Sequence, residues 1–308
     1  MGKLAFTGVD HYKGMGRAMQ ISNGKLEVVV TLDLGPRIIK FALAGGQNIL
    51  EDDIKPEAPI SKDKWWIYGG HRLWHSPEAL PRTYMPDNDP LEKYELLEDG
   101  IRMYQKEEPW VHIQKSMEVH LLEDRVRIQN TLVNKGAWPI DLSVWSITIA
   151  SKGGREVIPV VQRDTGLLPN KSVVLWPYSR FTDQRVCWGE RYYIVDNEPQ
   201  IKNPFKLGLP NEYGWAAYFN HDCCFIKKYN HVMDAVYPDG GCSWETYTAD
   251  WGIELESLSP FGTLKPGESA THTDEWFLFG NVKKPGVSED EIDSVLAPLA
   301  KKADIQLP

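Results

Sequence analysis

Glu254 and Glu256 stand two apart in "WGIELESLSP", and residues two apart on a strand face the same side. Together with Asp250 and Gly252 they would therefore line one face. A carboxylate held there can accept or return a proton in acid–base catalysis. A second cluster lies in "GGHRLWHSPE", Gly69 to Glu78, with His71, Arg72, Trp74, His75 and Glu78 close together. On a helix, His71 and His75 at a spacing of four would suggest a metal pair. Gly69-Gly70 before them and Pro77 after them predict a loop instead, so no metal and no other cofactor is expected. A loop histidine titrates near neutral pH and can donate a proton. Arg72 can grip a carboxylate or phosphate with its planar fork. Arg37 in "GPRI", Lys228 in "IKKYN" and Tyr237 with Asp239 in "YPDGG" are further binding candidates. Asp239-Gly240 reads first as a turn. Lys227 and Lys228 must point to opposite faces, and His272 in "ATHTDEW" reads as structural.

Composition limits what such groups could act on. The formal charge is −9 and no Lys/Arg run stands out, so the general attraction to phosphate backbones is missing and nucleic acid is not an expected partner. No window approaches 18 apolar residues, and "MGKLAFTGVDHYKG" lacks the apolar run of a signal peptide, so neither a membrane partner nor export is expected. Cys187, Cys223, Cys224 and Cys242 show no CxxC spacing, which fits reduced thiols in the cytoplasm. The chain also has 12 Trp and 13 Tyr. Flat aromatic faces in excess of core needs suit the apolar faces of sugar rings.

The elements that must position these residues read as strands. Asn23-Gly24 precedes "LEVVVTLDLG", and "LAGG" at 43–46 follows "RIIKFAL"; both pairs supply the positive φ of hairpin turns. "LEDG" and "LEDR" separate further strands rich in Val, Ile and Thr through residue 151. Residues 152–215, rich in Pro, Gly and Asn, predict long loops around short strands, where ligands commonly bind. Strands resume at "WAAYFN". At the end, "SEDEIDSVLAPLAKK" predicts one helix, with Ser288 and Glu291 as a capping box and Ile292, Val295, Leu296 and Leu299 on its apolar stripe. Pro298 would bend or end it. With no repeat and no linker, residues 1–308 read as a single all-β domain.

Three segments resemble the galactose mutarotase-like (aldose 1-epimerase) superfamily. "VVVTLDLGPRIIKFALAGGQNIL" is similar to its opening hairpin, "VRIQNTLVNKGAWPIDLSVWSITIA" to its "NxxxxP" strand pair, and "WGIELESLSPFGTLKPGESATHTDEWFLF" to the strand carrying its catalytic Glu with the following "LxPGE" turn. The resemblance implies a large two-sheet antiparallel β-sandwich, the supersandwich, to which the spacing pattern above adds a short C-terminal helix. It implies an isomerase that opens a sugar hemiacetal, with Glu256 as base and Glu254 as its neighbour, and it puts "GGHRLWHSPE" at the first active-site loop. One departure stands out: where the epimerases carry an acid His, the aligned residue is Trp145. His71 or His75 would then supply the acid. If Arg37, Arg72 and Lys228 converge with His71, an anionic sugar such as a uronate or sugar phosphate is favoured. The alternatives are a sugar-binding protein without catalysis, favoured by Trp145, and a lyase or isomerase of acidic sugars. The resemblance does not reach the identity of the sugar or the oligomeric state.

Overall fold

A computed structural model describes residues 4–54 and 63–308. Turn chemistry sets the hairpins as the sequence predicts. Gly24, at φ +83°, turns the chain between Ala18–Ser22 and Leu26–Thr31. Glu98-Asp99 joins Lys93–Leu97 to Gly100–Tyr104, and "LEDR" joins Ile113–Leu121 to Val126–Asn134. The last two strands alternate buried and half-buried along their whole length, as expected of strands with one face in the core.

Among the described residues all paired strands are antiparallel, and they form one sheet of 11 strands and one of 10. The sheets pack face to face. Val28, Phe41, Leu73, Val144 and Leu255 from the larger sheet share a core with Met103, Val119, Ile128, Phe225 and Trp276 from the smaller one. The helix Glu289–Ala303 covers the outer face of the smaller sheet, laying Ile292, Leu296 and Leu299 against Ile194, Trp215 and Ile226. The outer face of the larger sheet is left for the loops between residues 152 and 215 and their neighbours. Among the described residues no helix is long and apolar enough to cross a membrane.

Two local expectations need correction. Ser288 sits at the helix N-cap without a side-chain cap bond, and the Glu291 carboxylate accepts the Gly286 N–H at 2.9 Å instead, so no capping box forms. The helix also runs through Pro298 to Ala303. The second correction bears on function: "GGHRLWHSPE" is not a loop, because Gly70–Ser76 is a fully buried strand of the larger sheet. Gly69 and Gly70 have φ of +90° and +64°, and a Cβ on them would lie 2.2 Å from the Glu51 and Ile38 carbonyl oxygens respectively. Here the glycine pair marks close backbone approach rather than a turn.

Candidate functional site

Five neighbouring strands of the larger sheet form the floor: Gly70–Ser76, Ile140–Ala150, Gly252–Leu258, Trp244–Ala249 and Phe205–Leu209. Their registers align the outward side chains in rows. Arg72 lies opposite Ile147, Ile147 opposite Glu256, and Glu256 opposite Glu245. Trp74, Trp145 and Leu258 make a second row, and Glu254, Tyr247 and Lys206 a third. Loops then raise aromatic walls around this floor. Trp65 and Tyr84 stand on one side, and Trp176, Tyr178 and Trp251 on the other, enclosing a hollow of about 400 Å³. That is within the usual range for a small-molecule site.

Both cations of the hollow are paired with carboxylates. Arg72 Nη2 donates to Glu254 Oε1 at 2.8 Å, with its guanidinium 4.7 Å from the centre of the Trp74 ring and 5.5 Å from that of Trp65. The Lys206 ammonium lies 2.7 Å from Glu245 and 2.9 Å from Glu256, between the rings of Trp145 and Trp176 at 4.7 and 4.6 Å. Burial disfavours the Lys206 charge, but Glu245 and Glu256 outweigh it and hold its pKa well above the ordinary value. Burial raises the Glu254 carboxyl above the ordinary range, against the pull of Arg72. Trp145 Nε1 donates to Glu256 Oε2 at 2.8 Å. Glu256 is fully buried and does not line the hollow, being sealed under Trp145 and Lys206.

Of the residues singled out in the sequence, Arg72, Trp74, Glu78, Trp145 and Glu254 come together on the cleft, with Glu256 beneath it. The others lie elsewhere. Strand alternation turns His71 and His75 inward while Arg72 and Trp74 face out. His71 Nδ1 is 2.9 Å from Thr148 Oγ1 and its Nε2 is 3.2 Å from Asn130 Oδ1. Burial drops its pKa to about 3. His75 is buried 3.4 Å from Glu108. Neither ring has a path to a ligand in the cleft, which removes the geometric basis for either as the acid. Arg37 is buried against Asp87 at 2.5 Å. Lys228 donates to the Asp304 carbonyl at 2.6 Å, at the helix C-terminus. Tyr237 accepts the Val232 N–H at 2.8 Å and stacks on His231. The cationic convergence of Arg37, Arg72, Lys228 and His71 is therefore not formed. His272 is buried with its Nε2 2.9 Å from Ser257 Oγ. Among the described residues no group of three or more His, Cys, Asp or Glu could hold a metal ion.

Sequence reasoning missed Trp65, Tyr84, Trp176, Tyr178, Lys206, Glu245, Tyr247 and Trp251. A signal existed in the aromatic pairs of the irregular segments "KWWIYGG" and "VVLWPYSRF" and of "TYTADW", a strand end with its turn.

Directly behind the floor, between the sheets, is a buried polar cluster. Asp274 accepts hydrogen bonds from Ser146, from Ser257 Oγ at 2.7 Å and from Asn130 Nδ2 at 3.2 Å. Lys227 donates to the Ser146 and Leu255 carbonyls at 2.8 and 3.0 Å and to Thr148 Oγ1 at 3.1 Å, with Asp274 4.0 Å away. Burial lowers the Lys227 pKa to about 8. This cluster makes acid lability an expected property. His71 stays neutral in the fold down to about pH 3, whereas the unfolded chain takes up its proton near pH 6.5. As pH falls through that window the unfolded state binds more protons and stability drops by about 1.4 kcal/mol per pH unit for this one group. Thermal melts should show a fall between pH 7.5 and 5 that is about 2 kcal/mol smaller in His71→Asn. An equal fall in both proteins would disprove the assignment.

Known proteins share this architecture at low sequence identity. No family model matches the chain, and no curated protein matches it. Among solved structures, a TPR-domain containing protein from Parabacteroides distasonis is similar at 14% identity and TM-score 0.56, over 95% of this chain and 56% of that one. The chain thus spans little more than half of that protein. A galactose mutarotase-like protein from Lactobacillus casei is 10% identical at TM-score 0.54, over 85% of this chain and 100% of that one. A putative aldose 1-epimerase from Escherichia coli is 13% identical at TM-score 0.50, over 90% and 99%. The chain has the galactose mutarotase-like fold.

Proposed function

We propose that the protein binds an uncharged sugar in the aromatic cleft on its larger sheet. The observation that carries this reading is the cleft wall itself, in which half-exposed rings of Trp65, Trp176, Tyr247 and Trp251 surround the Arg72–Glu254 pair. Flat apolar faces match the C–H face of a pyranose, and the ion pair offers donors and acceptors to its hydroxyls. Because Arg72 and Lys206 are already ion-paired, a uronate or sugar phosphate would find no free cation there, which favours a neutral ligand. The core shared by both sheets supports reading residues 1–308 as one domain. The four unpaired cysteines support a reducing compartment, the cytoplasm. Titration calorimetry with glucose, galactose, mannose and glucuronate tests the reading. Binding of at least one neutral hexose is expected, stronger than that of glucuronate. Trp176→Ala should weaken it about 30-fold, the ~2 kcal/mol of a central aromatic anchor. Exclusive binding of the uronate would sink the neutral-ligand reading.

A second reading, an acid–base enzyme of mutarotase type, is favoured by one observation. Glu254 lines the cleft, and burial raises its carboxyl against the pull of Arg72, which favours proton donation from this group. Hemiacetal opening also needs a base, and Glu78, which lines the cleft and accepts the Tyr84 hydroxyl, is the remaining cleft carboxylate outside the ion-pair network. NMR anomer exchange on the best-binding hexose decides between the readings. Exchange no faster than in buffer leaves binding alone.

A further inference from the structure

The sugar cleft does not end at Trp251. Ile67 and Trp251 also border a second hollow of about 550 Å³, whose other walls include Trp66, Lys152 and Asp250. The topology makes this adjacency unavoidable. Ala150 pairs with Ile253 and Ala249 with Gly252, so the turns that follow Ala150 and Ala249 emerge side by side at one end of the sheet, bringing Lys152 next to Asp250. Tyr247 covers one face of the Trp251 indole, with ring centres 5.6 Å apart and planes at 24°, and holds it upright between the two hollows.

The chemistry of the second hollow repeats that of the first, with one difference. It again combines aromatic surface, from Trp66 and Trp251, with cationic and carboxylate groups, here Lys152 with Asp53 and Asp250. In the first hollow those charges are locked together. In the second, among the described residues, neither the Lys152 ammonium nor the Asp250 carboxylate has a hydrogen-bond or ion-pair partner, and Lys152 is exposed. The pair therefore has donors and an acceptor to offer a hydroxylated ligand, and with Asp53 on the same wall the carboxylates outnumber the cation, which disfavours an anionic one.

We propose that the second hollow is a further sugar subsite and that the ligand is a neutral oligosaccharide, one residue in the aromatic cleft and the next beyond Trp251. The proposal rests on the cleft binding sugar. A monosaccharide can use only one hollow. A linked chain gains the contacts of the second without paying again for its overall immobilisation.

The test compares glucose, galactose and mannose with trisaccharides built from each, by titration calorimetry on the full chain. At least one trisaccharide is expected to bind 10-fold or more tightly than its monosaccharide. Trp66→Ala and, separately, Asp250→Asn should remove most of that gain while leaving monosaccharide affinity unchanged. Asp250→Asn is a surface change and serves where Trp66→Ala disturbs the packing beneath it. Monosaccharide binding with no gain for any trisaccharide overturns the second subsite and leaves the cleft reading intact, as does a gain that survives both substitutions. Absence of binding by every sugar overturns the cleft reading and the subsite with it.

Discussion

Lys227→Met is expected to lower the free energy of unfolding by about 3–5 kcal/mol, the usual cost of removing one partner from a buried charge cluster. Lys227 is fully buried, and its ammonium satisfies the Ser146 and Leu255 carbonyls as well as facing Asp274. Methionine fills similar volume but donates nothing, so the two carbonyls and the Asp274 charge lose that partner away from water. Lys228→Met is the control. It changes the adjacent residue in the same way on the opposite face, where the ammonium only meets the exposed end of the helix. Its effect should stay within about 1 kcal/mol. Urea unfolding of the two variants measures the difference, and equal losses would contradict the account of the inter-sheet cluster.

Where the cleft accelerates anomer exchange, Glu254→Gln is expected to slow it by about 10²–10⁴-fold at equal saturation, the usual contribution of a general acid or base. Glu256→Gln should retain exchange. Glu254 lines the hollow, whereas Glu256 is covered by Trp145 and Lys206 and its Oε2 is engaged by both. In Glu256→Gln the amide oxygen can still accept the Trp145 N–H, so the floor keeps its shape. The resemblance assigns proton transfer to Glu256, as base, whereas the geometry favours its neighbour Glu254, as acid, with Glu78 left for the base. Collapse of exchange in Glu256→Gln, with Glu254→Gln unaffected, would return the role to Glu256.

The strands were legible because two physical signals agree along them. Residues 113–121 and 126–134 alternate in polarity, and a turn signal separates them. The pairing of Glu254 with Glu256 on one face was legible for the same reason. The histidines were not. Gly69-Gly70 and Pro77 carry the composition of a loop, and only the packing of Gly70–Ser76 against the carbonyls of Ile38 and Glu51 shows that the glycines serve close approach. Once that stretch is a strand, alternation sends Arg72 and Trp74 to the cleft and His71 and His75 to the interior.

What the sequence by itself determined is local: period-two strands, their hairpins, the C-terminal helix, and which residues share a face. Which face is the cleft was decided only by tertiary structure. The helix covers the outer side of the smaller sheet, so the outer side of the larger one remains for loops to wall. The partners were decided there as well. Lys206 meets Glu245 and Glu256, 39 and 50 positions away in the chain, because three neighbouring strands bring them together. Ion pairing depends on distance in space and carries no periodicity along the chain, so neither composition nor spacing could reveal that the cations of the cleft are already neutralised.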